Sequence, residues 1–407
     1  MTTSRDRWPE QQTERQRSVV KISGPADIIG VLPHRLGFHP TESLVVVCLD
    51  GPRNRDRLVM RFDLPAEEHD PVLVDMVEQR IRAMKATGAL LVVYTEQPSR
   101  TQGSSGTTVG PPPIGVVTRS GDVRPSRGAG SGAGTRRNSL ALPREALVEL
   151  LTQRLVRKRI GVFEALLVHG GSWYSYHCAD GTCCPTGGTP IAAEPTPAAA
   201  RYAAEAVLLG SSVLPSRDDL RRTFQPSDHA VAVATRRQGA TEAGDRLLAV
   251  SDALGRDGAR DLVVGTLLRL LDAWSDGGTA IDQEDASLVA VGLHDKRTRD
   301  EVMTFVLDHD GPLLVAVFGE IARRATEEDA APICTVLAWA AYSDGSGALA
   351  LLAAERALAC EPGYAMAELL LDGLSRMVPP DTVRAICRQV RADLEGGGPS
   401  AALGSAG

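Results

Sequence analysis

The chain has 407 residues, with 44 basic and 51 acidic side chains and 43% hydrophobic residues. This length exceeds what one hydrophobic core organises, so we expect about two or three domains, and the composition excludes the fibrous and wholly disordered classes. The net charge of −7 argues against a general nucleic-acid-binding protein, which needs a basic face.

The first twenty residues are polar and lack the apolar centre of a secretion signal. We therefore predict a disordered arm over residues 1–20 and a cytoplasmic protein. The odd count of seven cysteines agrees with a compartment that keeps thiols reduced. No apolar run approaches the length of about 20 residues that a membrane-spanning helix needs, so no membrane contact is expected.

The front of the chain alternates helix and strand signals. Pro25 and Asp27 suit the first turn of a helix, which Gly37 ends because glycine adopts the left-handed conformation readily. Residues 43–50 (SLVVVCLD) and 57–64 (RLVMRFDL) are predicted strands, and the short polar loop that joins them predicts an antiparallel pair.

The same alternation continues to about residue 178. Helices are predicted over residues 71–87 and 143–158, and strands over 89–95, 162–168 and 172–178. The almost wholly apolar strands are typical of a sheet covered on both faces, and Gly170-Gly171 predicts a tight hairpin. We therefore predict an α/β domain, a small mixed sheet with flanking helices, built from residues 21–96 and 140–195.

Residues 97–139 interrupt this domain with a run rich in Gly, Ser, Thr, Pro and Arg. The segment has too little apolar surface to offset its ordering entropy, so we predict a disordered insertion. Its arginines suit contact with an acidic partner or nucleic acid, but no aromatic side chain is interleaved for stacking. A solvated linker is the interpretation we keep.

Residues 196–395 are predicted to form an all-α, helical-repeat-like domain, followed by a disordered tail over residues 396–407. The helix pair around Trp339 and Ala357 is tetratricopeptide-like, because small residues stand where its two helices would cross. No 34-residue period is sustained beyond that pair. These helices are the predicted surface for a protein partner.

Three stretches together resemble one family. They are residues 33–40 (PHRLGFHP), residues 173–178 (WYSYHC) with Cys183-Cys184-Pro185, and Arg299-Asp300 with residues 337–339 (LAW). In these motifs the chain resembles the actinobacterial proteins grouped as domain of unknown function 4192. The resemblance spans roughly residues 20–380. It implies a cytosolic actinobacterial protein and no activity, and it supplies no catalytic residues.

The densest group of chemically reactive side chains is a cysteine cluster. Cys178, Cys183 and Cys184 lie within seven residues, and His177 precedes the first of them. Thiolates and imidazole suit Zn²⁺, with His169 or His177 as a further ligand, although the spacing is not that of ordinary zinc knuckles. A redox or disulfide role and a purely structural loop are the alternatives.

A second candidate site combines four residues, His39, Ser43, Trp173 and Tyr176. His39 and Ser43 flank the start of the first strand, where α/β proteins often build ligand sites, and an imidazole can serve as a general base or a ligand. The aromatic pair would line the same pocket. The structural alternatives are a helix-to-strand turn around Gly37 and aromatic packing within a hairpin.

The sequence lacks a phosphate-binding P-loop, a dinucleotide fingerprint and a nucleophile elbow. This favours a non-enzymatic regulatory or interaction protein whose C-terminal helices bind a partner. The alternative is an enzyme or a ligand- or metal-binding protein with a site near the sheet edge and the Cys178/Cys183/Cys184 cluster.

Overall fold

A computed structural model describes residues 22–51, 55–97, 116–117, 123–124, 142–178, 184–185, 187–208 and 212–396. The predicted arm, nearly all of the predicted insertion and the tail lie outside these residues. The described chain forms a mixed sheet with helices, followed by a long helical region. The predicted fold class is therefore confirmed, whereas the domain boundaries and the tetratricopeptide-like repeat stay predictions.

Six strands form the main sheet in the order β2-β1-β3-β6-β7-β8. Their bounds are β1 Ser43–Asp50, β2 Arg55–Asp63, β3 Gly88–Tyr94, β6 Gly161–His169, β7 Ser172–Ser175 and β8 Thr189–Pro190, and a separate pair joins β4 Val116–Val117 to β5 Val123–Arg124. Strands β3 and β6 are parallel, and the other neighbours in the sheet are antiparallel.

The sheet is covered on both faces, as its apolar strands predict. Helices α2 (Asp70–Ala83) and α3 (Glu145–Arg157) pack on the first face, over Leu44, Val46 and Leu91. Helix α1 (Pro25–Leu36) packs on the second face, over Val45 and Val92. Gly37 ends α1 with φ of 81°, as predicted, and Gly24 occupies the N-cap position at its start.

Buried polar side chains fix the starts of the two first-face helices. Arg144 Nη1 lies 2.6 Å from Asp70 Oδ1, and Arg144 also donates to the carbonyl of Pro65. Both side chains are largely buried. Burial raises the pKa of Asp70, although the Arg144 guanidinium opposes that shift. The pair joins the segments that lead into α2 and α3.

Helices make up the described chain after β8. They are α4 Pro197–Leu208, α5 Arg217–Arg222, α6 Ala230–Ser275, α7 Gln283–Gly292, α8 Lys296–Met303, α9 Gly311–Arg324, α10 Ala330–Ser343, α11 Gly347–Cys360, α12 Ala365–Ser375 and α13 Pro380–Glu395. Short 3₁₀ turns occupy Glu67–His69 and Thr304–Leu307. Helix α10 is buried along its whole length and forms the centre of this region.

The sequence predicts separate helices over residues 228–238 and 242–254, and the break between them is wrong. Helix α6 continues through Gly239 and bends only at Gly255, where φ is 76° and ψ is 176°. Gly239 is explained by packing, because a Cβ built there would lie 2.6 Å from the Ser287 hydroxyl of α7. Gly239, which suggests a helix end in the sequence, is therefore a site of close contact between α6 and α7.

Several contacts join the helical region to the sheet. Gly37 and His39 exchange backbone hydrogen bonds of 2.9 and 3.0 Å with Leu214. Arg80 Nη1 donates to the carbonyl of Ser375 at 2.8 Å, and Met377 packs against the core of the first face. Met377 has φ of 55°, a left-handed conformation held by this docking.

Candidate functional site

The parallel strands β3 and β6 end at one edge of the sheet, where β1 begins. Ser43 stands there, opposite Asp63 of β2 and Tyr94 of β3. Its hydroxyl donates to the carbonyl of Thr41 at 2.5 Å and accepts from Arg61 Nε at 2.8 Å. Because Ser43 is fully buried and its hydroxyl is held at both positions, it acts as a structural link in this structure.

A rim of polar side chains continues along this edge. The carboxylate of Glu42 accepts hydrogen bonds from the Thr95 hydroxyl at 2.9 Å and from the backbone N–H of Glu96 at 2.7 Å. His169 Nδ1 lies 2.9 Å from the carbonyl oxygen of Thr95. A carbonyl only accepts, so Nδ1 of His169 donates in this hydrogen bond.

The hydroxyl of Tyr94 is buried at the same edge and has no hydrogen-bond partner among the described residues. Burial raises the pKa of this phenol well above its ordinary value. The strand alternation sets Tyr94 on the second face with Ser43. Sequence reasoning missed Glu42, Thr95 and Tyr94, although polar residues at the ends of apolar strands were the available signal.

The four predicted ligand-binding residues do not form one pocket. Trp173 stands opposite Val168 and packs on the second face, as Ser43 does. Tyr176 packs on the first face and donates its hydroxyl to the carbonyl of Pro143 at 2.6 Å. The side chain of His39 is exposed, and its backbone is used in the contact with Leu214.

The predicted strand over residues 172–178 ends at Ser175, so His177 and Cys178 lie in the following turn. The backbone N–H of His177 donates to the Ser175 hydroxyl at 3.3 Å. Burial lowers the pKa of His177, and the nearby Glu164 carboxylate opposes that shift. Because His177 and Cys178 lie outside a strand, strand alternation does not set their side chains on opposite faces.

Cys178 and Cys184 are half-buried, and Cys183 lies outside the described residues. Within the part of the chain that the structure describes, no group of three or more His, Cys, Asp or Glu side chains could hold a metal ion. Because one of the three predicted ligands falls outside that part, the zinc and redox interpretations stay predictions.

A concavity that the sequence analysis did not predict lies in the helical region. The bend at Gly255 turns the two halves of α6 toward each other, and α7 packs against both of them. Near the bend this packing leaves an open groove of about 440 Å³. Its apolar lining consists of Leu247, Leu248, Ala259, Val263 and Val291.

Two glycines shape the groove in different ways. A Cβ built on Gly244 would meet no atom within 4 Å, whereas one built on Gly292 would lie 2.4 Å from Val263. Gly292 therefore lets α7 approach α6 closely, and Gly244 leaves open space above the groove. Leu248 in the lining is 65% exposed, and Leu254 at the bend is 71% exposed.

The charges of the groove are concentrated at its rim. Arg260 is held by Asp257 at 2.6 Å and by Glu301 at 3.2 Å. Asp295 caps α8 by accepting from the backbone N–H and the hydroxyl of Thr298, both at 2.9 Å.

Arg256 lines the groove and forms no ion pair with any residue that the structure describes. The Arg256 guanidinium is therefore available to pair with an acidic side chain of a partner.

The comparison with protein families decides the identity of the chain. The sequence model described as "Domain of unknown function (DUF4192)" matches residues 25–381. The chain belongs to this family. The matched residues include the sheet, its polar edge and the groove of the helical region. No curated protein and no solved structure matches the chain. Among the described residues, no helix has the length and apolarity to cross a membrane.

Proposed function

We propose that this DUF4192 protein is a non-enzymatic interaction protein, in which the helical region binds a protein partner and the α/β region supports it. The groove along α6 carries the proposal. Its lining is mostly apolar, and Leu248 in that lining is 65% exposed. Exposed apolar side chains grouped at one concavity are a feature of interaction sites.

The polar chemistry of the groove also favours a macromolecular partner over a small substrate. Small-molecule sites combine an apolar pocket with a few convergent polar groups that orient the ligand. Here the polar side chains stand at the rim, and Arg260 and Asp295 are already bonded within the protein. A protein surface can cover such a groove without needing polar groups at its floor.

Photo-crosslinking of the full chain tests this function. A photo-reactive amino acid at position 248 should give a protein adduct in cells, and one at exposed Leu369 of α12 should not give the same adduct. The recombinant partner should then bind the wild-type chain and lose binding to Leu248→Asp. Absence of an adduct, or equal binding by Leu248→Asp, would contradict the proposal.

The second candidate function, an enzyme or a ligand- or metal-binding protein with a site at the sheet edge, is favoured by one observation. His169 is oriented by its Nδ1 hydrogen bond to the Thr95 carbonyl, and its ring lies close to the rim formed by Glu42 and Glu96. Metal analysis tests the metal-binding form, because stoichiometric zinc that is lost on Cys183→Ser would favour it and metal-free stable protein would weaken it.

We place the protein in the cytoplasm of an actinobacterium as part of the same proposal. The odd number of cysteines and the motifs shared with the family support this placement. Fractionation of the native cells would detect the chain with soluble cytoplasmic markers if the placement is right.

A further inference from the structure

We propose that the occupant of the groove is an amphipathic helix of a partner protein, which carries an acidic residue that pairs with Arg256. This inference rests on the proposed interaction function and names the chemistry of the partner. Three properties of the groove lead to it: the backbone that lines it, its length along α6, and the charge at its rim.

The backbone around the groove favours a helical occupant. The lining residues belong to α6, α7 and the start of α8, and helical N–H and C=O groups are bonded within their own helix. The groove therefore offers no row of donors and acceptors to an extended chain. An extended segment buried here would leave its own backbone groups unpaired, whereas a helix satisfies them internally.

The length of the groove sets the spacing of apolar side chains on the partner. Gly244, Leu247, Leu248 and Ser251 line it along α6, which is about two helical turns or about 10 Å. A partner helix lying along these turns would insert apolar residues at i, i+4 and i+7. Gly244 has no side chain, so it admits the backbone of that helix most closely.

The rim sets the charge of the partner. Arg260 is engaged by Asp257 and Glu301, but Arg256 forms no ion pair within the described chain. A guanidinium binds a carboxylate with two parallel hydrogen bonds, which gives both attraction and orientation. An Asp or Glu at one end of the partner helix would therefore fix its register in the groove.

The experiment uses the full chain with the photo-reactive residue at position 248 and identifies the cross-linked peptide by mass spectrometry. We expect a peptide with apolar residues at helical spacing and a nearby acidic residue. A synthetic copy of that peptide should bind the wild-type chain and bind Arg256→Glu at least about tenfold more weakly. Replacement of its acidic residue by Arg should restore binding to Arg256→Glu.

Two glycine variants provide matched controls. Gly244→Gln should abolish peptide binding because its side chain enters the groove. Gly265→Gln should leave binding unchanged, because Gly265 also lies in α6 with open space around its Cβ position but does not line the groove. Circular dichroism and thermal unfolding should show that both variants keep the fold.

The possible failures are distinguishable. Absence of any adduct overturns the proposed function and this inference together. An adduct with a segment that lacks helical apolar spacing, or with another copy of this chain, overturns only the inference about the occupant. Equal affinity of the wild-type chain and Arg256→Glu for the peptide also overturns it, while the interaction function stands.

Discussion

The sheet region and the helical region use buried polar side chains differently. In the sheet region Arg144 neutralises a buried carboxylate, and Arg61 holds the buried hydroxyl of Ser43. In the helical region Arg356 is buried but donates to the backbone carbonyls of Phe224 and Ala322. The helical region also holds a buried ion pair, Arg299 with Asp300. The two regions therefore differ in what Arg144 and Arg356 bind, and in the groove that the helical region leaves open along α6.

The largest effect is expected from breaking the buried pair of the sheet region. Arg144→Ala should lower the free energy of unfolding by about 3–5 kcal/mol, because Asp70 would keep its buried position without a counter-charge. Urea unfolding followed by circular dichroism measures this change.

The matched control is Arg154→Ala, which removes a partly exposed arginine paired with Asp75 and Glu78. It should cost no more than about 1 kcal/mol, as is usual for pairs that water screens. Equal destabilisation by the two variants would show that the Asp70–Arg144 pair does not lock the sheet region.

Replacing Arg356, the buried arginine of the helical region, should lower the free energy of unfolding less than replacing Arg144. Arg356→Leu removes the donor to two backbone carbonyls but leaves no unpaired carboxylate. We expect a loss of about 1–3 kcal/mol in the free energy of unfolding, the cost of unsatisfied buried acceptors. Urea unfolding of the two variants side by side checks the order, and a greater loss for Arg356→Leu than for Arg144→Ala would contradict it.

Two glycine-to-alanine replacements compare a glycine beside open space, Gly244, with a glycine at a close helix contact, Gly30. Gly244→Ala should raise the free energy of unfolding by about 0.5–1 kcal/mol, because alanine favours the helix and its Cβ meets no atom. Gly30→Ala of α1 should lower it, because the new Cβ would lie 2.7 Å from the Cβ of Ala199 in α4. Thermal unfolding distinguishes them, and a shift of the same sign in both variants would show that the contrast in packing is wrong.

The smallest effect is a pH dependence in the helical region. His294 Nε2 lies 3.1 Å from Asp329 Oδ1, and this hydrogen bond raises the pKa of His294 above 6.5 and helps to lower that of Asp329 below 3.8. Because the pKa of His294 is higher in the folded state, protonated His294 stabilises the fold at pH values below 6.5, and this stabilisation is lost as pH rises through the folded-state pKa. Because the pKa of Asp329 is lower in the folded state, ionised Asp329 stabilises the fold at pH values above 3.8, and this stabilisation is lost as pH falls through the folded-state pKa.

His294→Gln should therefore destabilise the protein more at about pH 5.5 than at about pH 8.5. The difference should be below about 1 kcal/mol, because the His294 side chain is 45% exposed and solvent screens the pair. Urea unfolding at the two pH values measures it. A larger effect at the higher pH would contradict the assigned sign.

Local sequence patterns predicted most of the fold. Apolar strands predicted a covered sheet, and Gly37 and Gly170-Gly171 marked turns, because these features depend on residues that are neighbours in the chain. The helix break after residue 238 was wrong because Gly239 serves a contact with Ser287 of another helix. Propensity cannot reveal such a partner.

The candidate site was less predictable for a related reason. Ser43 was selected as a ligand-binding residue, but Arg61 of the neighbouring strand already uses its hydroxyl. The groove is formed by side chains from α6, α7 and α8, and its opening depends on what the packing leaves uncovered. Periodicity indicates which face of a helix is apolar, but not which part of that face remains exposed.

Hydrogen–deuterium exchange of the full chain, alone and with the partner cross-linked at position 248, locates the surface that the partner covers. We predict slower exchange in the bound state at residues 244–263 and 291–298, with no change in β1, β3 and β6. Protection confined to the sheet edge around Glu42 and His169, with none along α6, would contradict it.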